Sequence, residues 1–339
     1  MELEQRIDAF AKLGSVLTGS AKGSHTGLSN GIIRIIDDYH KHNPWFTPEN
    51  VRRAVKAIGD ELTADNLTTW TKRYPALGEE MNAKNIAVIM AGNIPAVGFH
   101  DLLCVLITGN LLLVKTSSKD DLLLREIVSV LCKIEPGFGS YVRFIEGKLE
   151  GFDAVIATGS DNSARYFEYY FGRYPRLIRK NRTGIALLTG SESHDELVML
   201  GEDVFSYFGL GCRNITKLYM PEGYDLTRLS GAWREYSGCM DHGKYASNYR
   251  YHRAVLTINH EKFTDTGFLL LRREPSLFSP VAVINYEETD PHLFGEVATS
   301  MSDSIQVITG AGHTPFGFAQ KPKLWDYSDN IDTIGFLLK

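Results

Sequence analysis

Short, almost uninterrupted apolar runs constrain this chain more than any other feature. They are Ile86–Met90, Leu111–Val114, Tyr141–Ile145, Asp153–Ala157 and Gly184–Leu188. Between them lie stretches with the spacing of helices, to about Thr108, from about Asp120 to Lys133, and over about Asn162–Phe171. A strand that is apolar on both faces must be covered on both faces, and strands alternating with helices build a parallel sheet. In such sheets ligands bind at the carboxyl ends of the strands. Three of the runs end in polar turns there: Gly92-Asn93, Lys115-Thr-Ser-Ser118 and Thr158-Gly-Ser160. The pattern predicts an α/β fold with a doubly wound, Rossmann-like domain and a cofactor cleft at these turns.

Residues 1–80 read as a helical N-terminal segment. Ile7, Phe10, Leu13, Val16 and Leu17 recur at helical spacing, and Thr47-Pro48-Glu49-Asn50 is a helix start with Pro in the first turn. A second α/β unit begins near 190, with a helix over about Asp195–Tyr207 and strands at Ile215–Tyr219, Phe268–Leu271, Val281–Asn285 and Ile305–Ile308. The expected division is 1–190 for the helical segment and dinucleotide-binding domain, 191–312 for a catalytic domain, and 313–339 for a tail that docks or oligomerises. No Pro/Gly/Ser linker separates the units. With 339 residues and a net charge of -5, the chain is large enough for two cores, and it lacks the basic excess of a nucleic-acid binder. No run has the length of a membrane span, and the charged N-terminus does not read as a signal peptide. The four cysteines, widely spaced and without a CxxC, read as reduced cytoplasmic thiols.

Several motifs fail their context. Gly27-Leu-Ser-Asn-Gly31 has the nucleophile-elbow spacing, but Ala21–Thr26 before it cannot be a core strand, so Asn30 reads as a helix cap. Gly238–Lys244 nearly matches a P-loop but lacks the following hydroxyl and the preceding strand. Cys239 and His242 have no second ligand pair, and no metal is expected. Cys104 and Cys132 lie on apolar helix faces, and Cys239 lies between helices. Cys212 differs. It follows Gly209-Leu-Gly211 in a turn between helix and strand, with Arg213 beside it. Glycines admit close approach to the backbone, and a cation favours the thiolate. The local sequence alone leaves nucleophile and inert turn cysteine as equal readings.

Together these pieces resemble the aldehyde dehydrogenase superfamily, and more closely its LuxC-type fatty acyl-CoA reductases. Ala91-Gly-Asn93-Ile-Pro95 is similar to the family's Asn-x-Pro turn, Leu113-Val-Lys115-Thr-Ser-Ser118 to its ribose-gripping segment, and Ala157-Thr-Gly159-Ser160 to its Phe-Thr-Gly-Ser turn. Gly209-Leu-Gly-Cys212 is similar to the Gly-Gln-x-Cys nucleophile turn, and Leu277-Phe278-Ser-Pro280 to the Ile-Phe-Gly-Pro segment near the nicotinamide ribose. The resemblance implies Cys212 as nucleophile and Asn93 as oxyanion donor. It implies Lys115, Ser117, Ser118, Gly159, Ser160 and Phe278 as cofactor contacts.

The sequence also departs from the family's pattern. Hydrolytic members use a Glu in a Leu-Glu-Leu-Gly-Gly segment, whereas the corresponding Leu177–Gly184 holds no carboxylate. The Glu that often follows the binding Lys in NAD-preferring members is replaced by Ser118 and then Lys119, which favours NADPH over NADH. Ala164 stands for a second Gly, and Ser276 for a Glu beside the ribose. The expected activity is NADPH-dependent reduction of an acyl thioester, from acyl-CoA or acyl carrier protein, to an aldehyde. The alternatives are an oxidative aldehyde or semialdehyde dehydrogenase, an acyl-transfer protein without a redox step, and a non-catalytic relative.

Overall fold

The computed structural model describes residues 1–19, 27–79 and 82–339. It divides the chain into two compact units, Met1–Asn181 with Lys323–Lys339, and Arg182–Pro322. The stretch Ala21–Thr26, on which the elbow argument turned, lies outside the described residues.

The first unit opens with four helices: α1 (Leu3–Leu17), α2 (Asn30–Asp38), α3 (Pro48–Glu61) and α4 (Ala64–Thr71). The α1 stripe Phe10, Leu13, Val16 and Leu17 is buried, as its spacing predicts. Thr47 caps α3 by accepting the Asn50 N–H at 3.3 Å, and Thr63 caps α4 from Asn66 at 3.1 Å. Asn30 is the first residue of α2 rather than its cap, which is Ser29 without a side-chain bond. The α/β part follows: β1 (Asn85–Ile89), α5 (Phe99–Ile107), β2 (Leu111–Lys115), α6 (Leu122–Ile134), β3 (Val142–Phe144), β4 (Ala154–Thr158), α7 (Asp161–Phe171) and β5 (Arg176–Arg179).

The strand order is β3-β2-β1-β4-β5, and each pairing is parallel. Alternate side chains enter different cores. Ile86 and Val88 of β1 join the large cluster containing the N-terminal helices, while Ala87 joins Leu113, Val155 and Phe152 on the other face. That two-sided burial is why these strands are continuously apolar.

The second unit contains β6 (Thr183–Leu187), α8 (His194–Phe205), β7 (Ile215–Met220), α9 (Thr227–Ala232), α10 (Gly243–Ile258), β8 (Phe263–Asp265), β9 (Leu270–Arg273), β10 (Val283–Glu288), α11 (Phe294–Ser300) and β11 (Ile305–Thr309). Its sheet has the order β11-β6-β7-β10-β9-β8, with only the β8–β9 pair antiparallel among the described residues. Thus the run at Gly184–Leu188 founds the second sheet instead of ending the first, and the division falls at 181/182 where 190/191 was expected. The fifth strand of the first sheet is Arg176–Arg179. The final helix, α12 (Thr333–Leu337), packs in the first unit's core with Leu324, Tyr327, Ile334 and Leu337.

Candidate active site

In the first unit the chain order reverses between β1 and β4, since β2 and β3 lie on one side and β5 on the other. A crevice outside the carboxyl ends at such a point is the binding place of doubly wound sheets. The predicted residues gather there. Asn93 is exposed on the turn after β1; Lys115 ends β2, with Ser117 and Ser118 following; Gly159 and Ser160 follow β4. The turns after β1 and β2 touch. A Cβ added at Gly92 would lie 2.6 Å from both Cβ and Oγ of Ser117, so only glycine fits.

These residues fit a nicotinamide dinucleotide. Ser160 Oγ accepts the Ser163 N–H at 3.3 Å and caps α7, whose N-terminus opens beside the switch point. A helix N-terminus of this kind favours phosphate. The Asp161 carboxylate in that first turn accepts the Asn181 N–H at 3.2 Å. Ala164 is buried within α7. After β2, Ser118 and Lys119 are exposed, and Lys115 Nζ donates to the Gly147 carbonyl at 3.0 Å. Of the carboxylates that follow Lys119 in the chain, Asp120 is buried and Asp121 is paired with Arg125 at 2.7 Å.

Within the stretch Leu177–Gly184, β5 ends in Arg179. Its guanidinium is buried, paired with Asp101, and donates to Thr333 Oγ1 at 2.8 Å.

In the second unit, Cys212 sits in a half-buried turn before β7. The approach to it is unusual. Tyr207 (φ 53°), Phe208 (φ 58°) and Gly209 (φ 77°) are consecutive left-handed residues. Two of them carry side chains, and such strain gathers at functional sites. A buried clamp holds it. Asn214, fully buried, donates through Nδ2 to the carbonyls of Asp203 (2.9 Å), Val204 (3.3 Å) and Ser206 (2.8 Å), and its Oδ1 accepts the Gly211 N–H at 2.8 Å. One amide thereby ties the end of α8 to the residue before Cys212.

Phe278, exposed, belongs to a loop at the same edge of this sheet. Thr216 Oγ1 of β7 donates to the Leu277 carbonyl at 2.7 Å. Buried Asn285 donates to the carbonyls of Ser276 (2.9 Å) and Phe278 (3.1 Å). Ser276 has no carboxylate to offer, but its carbonyl helps to shape this loop. A small cleft lies between the two segments, lined by Phe208 and Gly209 on one side and Ser279, Pro280 and Ala282 on the other.

The remaining thiols are disabled by burial. It pushes Cys239 up to about 11 and raises Cys104 and Cys132 as well. Thiols so shifted are poor nucleophiles at neutral pH. Among the described residues, no group of three or more His, Cys, Asp or Glu side chains could hold a metal ion, and no helix is long and apolar enough to cross a membrane. Asn214, Asn285 and Asp120 escaped the sequence reading. Each acts mainly on backbone groups, and nothing in their spacing signals that.

Residues 24–167 match the family described as acyl-CoA reductase (LuxC). No curated protein matches the sequence. Solved structures match the fold. An oxidoreductase from Marinobacter aquaeolei aligns with a TM-score of 0.65 at 12% identity, over 91% of this chain and 73% of that one. The Mycobacterium tuberculosis aldehyde dehydrogenase complexed with NAD+ aligns with a TM-score of 0.64 at 14% identity, over 95% and 76%. An E. coli NADP dependent enzyme aligns with a TM-score of 0.62 at 11% identity, over 91% and 73%. The fold is that of the aldehyde dehydrogenases, and the resemblance is to that superfamily on its LuxC side.

Proposed function

We propose that this chain, with the aldehyde dehydrogenase fold and an acyl-CoA reductase (LuxC) match over 24–167, reduces an acyl thioester to an aldehyde. The Cys212 thiolate attacks the thioester carbonyl. A bond forms from Sγ to carbon, the bond to the donor sulfur breaks, and the donor leaves as a thiol after taking a proton. NADPH, when bound, supplies the hydride that reduces the acyl carbon. Collapse of the resulting tetrahedral oxyanion breaks the Sγ–carbon bond, releases the aldehyde and restores the thiolate. Asn93 donates its side-chain amide to the oxyanion, and the Cys212 N–H is the second donor. One such donor is worth ~3–4 kcal/mol in the transition state.

One observation carries reductase over hydrolytic dehydrogenase: Leu177–Gly184 offers no carboxylate to activate water, and its Arg179 is locked to Asp101. An acyl-enzyme without that base survives until hydride arrives. Exposed Ser118 and Lys119, with Asp120 buried and Asp121 paired, support NADPH as the preferred cofactor, since residues 118–121 present a cation and no free carboxylate to a 2′-phosphate.

The test is intact mass after incubation with acyl-CoAs of several lengths and with acyl carrier protein thioesters, followed by NADPH or NADH. The expected result is an acyl adduct that disappears with NADPH, and more slowly with NADH, yielding aldehyde. Cys212→Ala should form no adduct while still binding NADPH. An adduct that persists with both nicotinamides means acyl transfer, and undiminished aldehyde from Cys212→Ala rules out the covalent route.

A further inference from the structure

The turn that presents Asn93 contains a second strained residue. Ala96 has φ 54°, a left-handed conformation with a side chain attached. Its N–H donates to Asp120 Oδ2 at 2.6 Å, a short charge-assisted contact. The other carboxylate oxygen, Oδ1, accepts the Tyr39 hydroxyl at 3.0 Å. Asp120 is completely buried and Tyr39 almost so.

A fully buried carboxylate is costly unless its oxygens are satisfied, and here the partners are the backbone amides of Ala96 and Val97 and the Tyr39 phenol. No cation lies among the influences on Asp120; its neighbour Asp121 is a further anion, and burial pushes its carboxyl up to about 7. A neutral side chain would fill this place with less desolvation. The geometry shows what the carboxylate does. It fixes the turn after β1 through the Ala96 N–H, while the backbone N–H of the same residue, independent of the side chain, donates to the Ser117 carbonyl at 3.0 Å in the turn after β2. Asn43 Nδ2 adds a bond to the Lys119 carbonyl at 3.3 Å. The helical segment therefore supports both turns, through Tyr39 and Asn43.

We infer that Asp120 is a positioning residue for Asn93: its bonds to Ala96 and Tyr39 hold the Asn93 turn in the one geometry that stabilises the oxyanion. The inference rests on the thioester-reductase reading, in which Asn93 is the oxyanion donor. It gives the N-terminal helices a part in the chemistry without contact to substrate.

The experiment is a double-mutant cycle read by single-turnover kinetics. The enzyme is loaded with octanoyl-CoA, and reduction is followed at saturating NADPH for wild type, Asn93→Ala, Asp120→Ala and the double variant. Asp120→Ala should slow reduction about tenfold or more, while Asn93→Ala in that background should add less than about threefold, because coupled residues are not additive. Asp120→Asn should recover only part of the rate, because its amide oxygen still accepts from Ala96 but its NH2 cannot accept the Tyr39 hydroxyl. Additive losses, or a wild-type rate in Asp120→Ala, overturn the inference. If Asp120→Ala does not fold, Tyr39→Phe replaces it in the cycle. It should slow reduction severalfold and lose most of that effect in the Asn93→Ala background, and full additivity there overturns the inference equally. A wild-type protein that reduces no acyl-enzyme fails the functional reading and this inference together. One that reduces normally with an additive cycle fails the inference alone.

Discussion

Asn214 shows how much one side chain can organise. The carbonyls of Asp203, Val204 and Ser206 end α8, where helical carbonyls lack intrahelical partners. Asn214 supplies the donor for all three and the acceptor for the Gly211 N–H, all in a fully buried place. Asn214→Ala strands these groups without water. At ~1 kcal/mol for each net bond and more for a buried orphan, the expected loss is about 2–4 kcal/mol. Asn214→Asp should be worse, because a carboxylate oxygen would face three carbonyl oxygens. Urea unfolding of the two variants measures this, and a loss below about 1 kcal/mol for Asn214→Ala would show that the clamp is not needed. Alkylation of Cys212 by iodoacetamide should also change rate in these variants, since the left-handed stretch Tyr207–Gly209 loses its anchor. The sequence displays Cys212 through its flanking glycines, whereas Asn214 reads as an ordinary turn residue. A side chain that bonds only backbone atoms leaves no partner pattern to find.

At the level of elements, α8 carries a second buried anchor. Asp203 is fully buried, and its carboxylate accepts the N–H groups of Gly317 (2.8 Å) and Ala319 (3.0 Å). Burial outweighs these bonds and raises its pKa to about 6, against 3.8 ordinarily. Between those values the folded protein holds a proton that the unfolded chain has released. Its contribution is therefore greatest below about 4 and is lost as pH rises through about 6. Stability followed from pH 4 to 7 should show this declining component in wild type and lack it in Asp203→Asn. That variant should also be less stable overall, because its NH2 would oppose one of the two N–H donors. An identical pH slope in both proteins would contradict the assignment. Elements buried on both faces were legible in the sequence: β1, β2, β4 and β7 lie within a residue or two of their apolar runs. The edge strands β3 and β11 were legible too, but the edge strands β5 and β8 were not. In β5, arginines flank Leu177 and Ile178, and the charge hid an edge strand; β8, with Thr264 and Asp265, was hidden in the same way. The run at Gly184–Leu188 was recognised as a strand but its sheet was not, because apolarity records burial and not partner.

On the scale of the whole chain, the first unit is discontinuous. Its core needs residues that follow the entire second unit. Leu324, Tyr327, Ile334 and Leu337 are buried in the same cluster as the N-terminal helices. The Tyr327 hydroxyl accepts from Trp70 Nε1 at 2.7 Å and bonds the Tyr74 hydroxyl at 2.8 Å, while Tyr74 donates to Asp332 at 2.7 Å. Thr333 meets Arg179 at the end of β5. Burying four large apolar side chains contributes about 6–12 kcal/mol at ~1.5–3 each. That is comparable with the net stability of a typical domain, about 5–15 kcal/mol. A chain ending at Pro322 should therefore fail to fold its first unit and lose NADPH binding, even though every strand and turn of the crevice is still encoded. Tyr327→Phe is the milder companion. It keeps the ring and removes the hydroxyl, with an expected loss of about 1–3 kcal/mol. At ~2–4 °C per kcal/mol, its melting temperature should fall by several degrees while NADPH binding persists. Retention of NADPH binding by the truncated chain would show that the tail only covers a core that is already complete. Its loss, with binding kept in Tyr327→Phe, would show that the crevice is assembled by the chain's return to its first unit, through packing at α12 and the bond from Thr333 to Arg179.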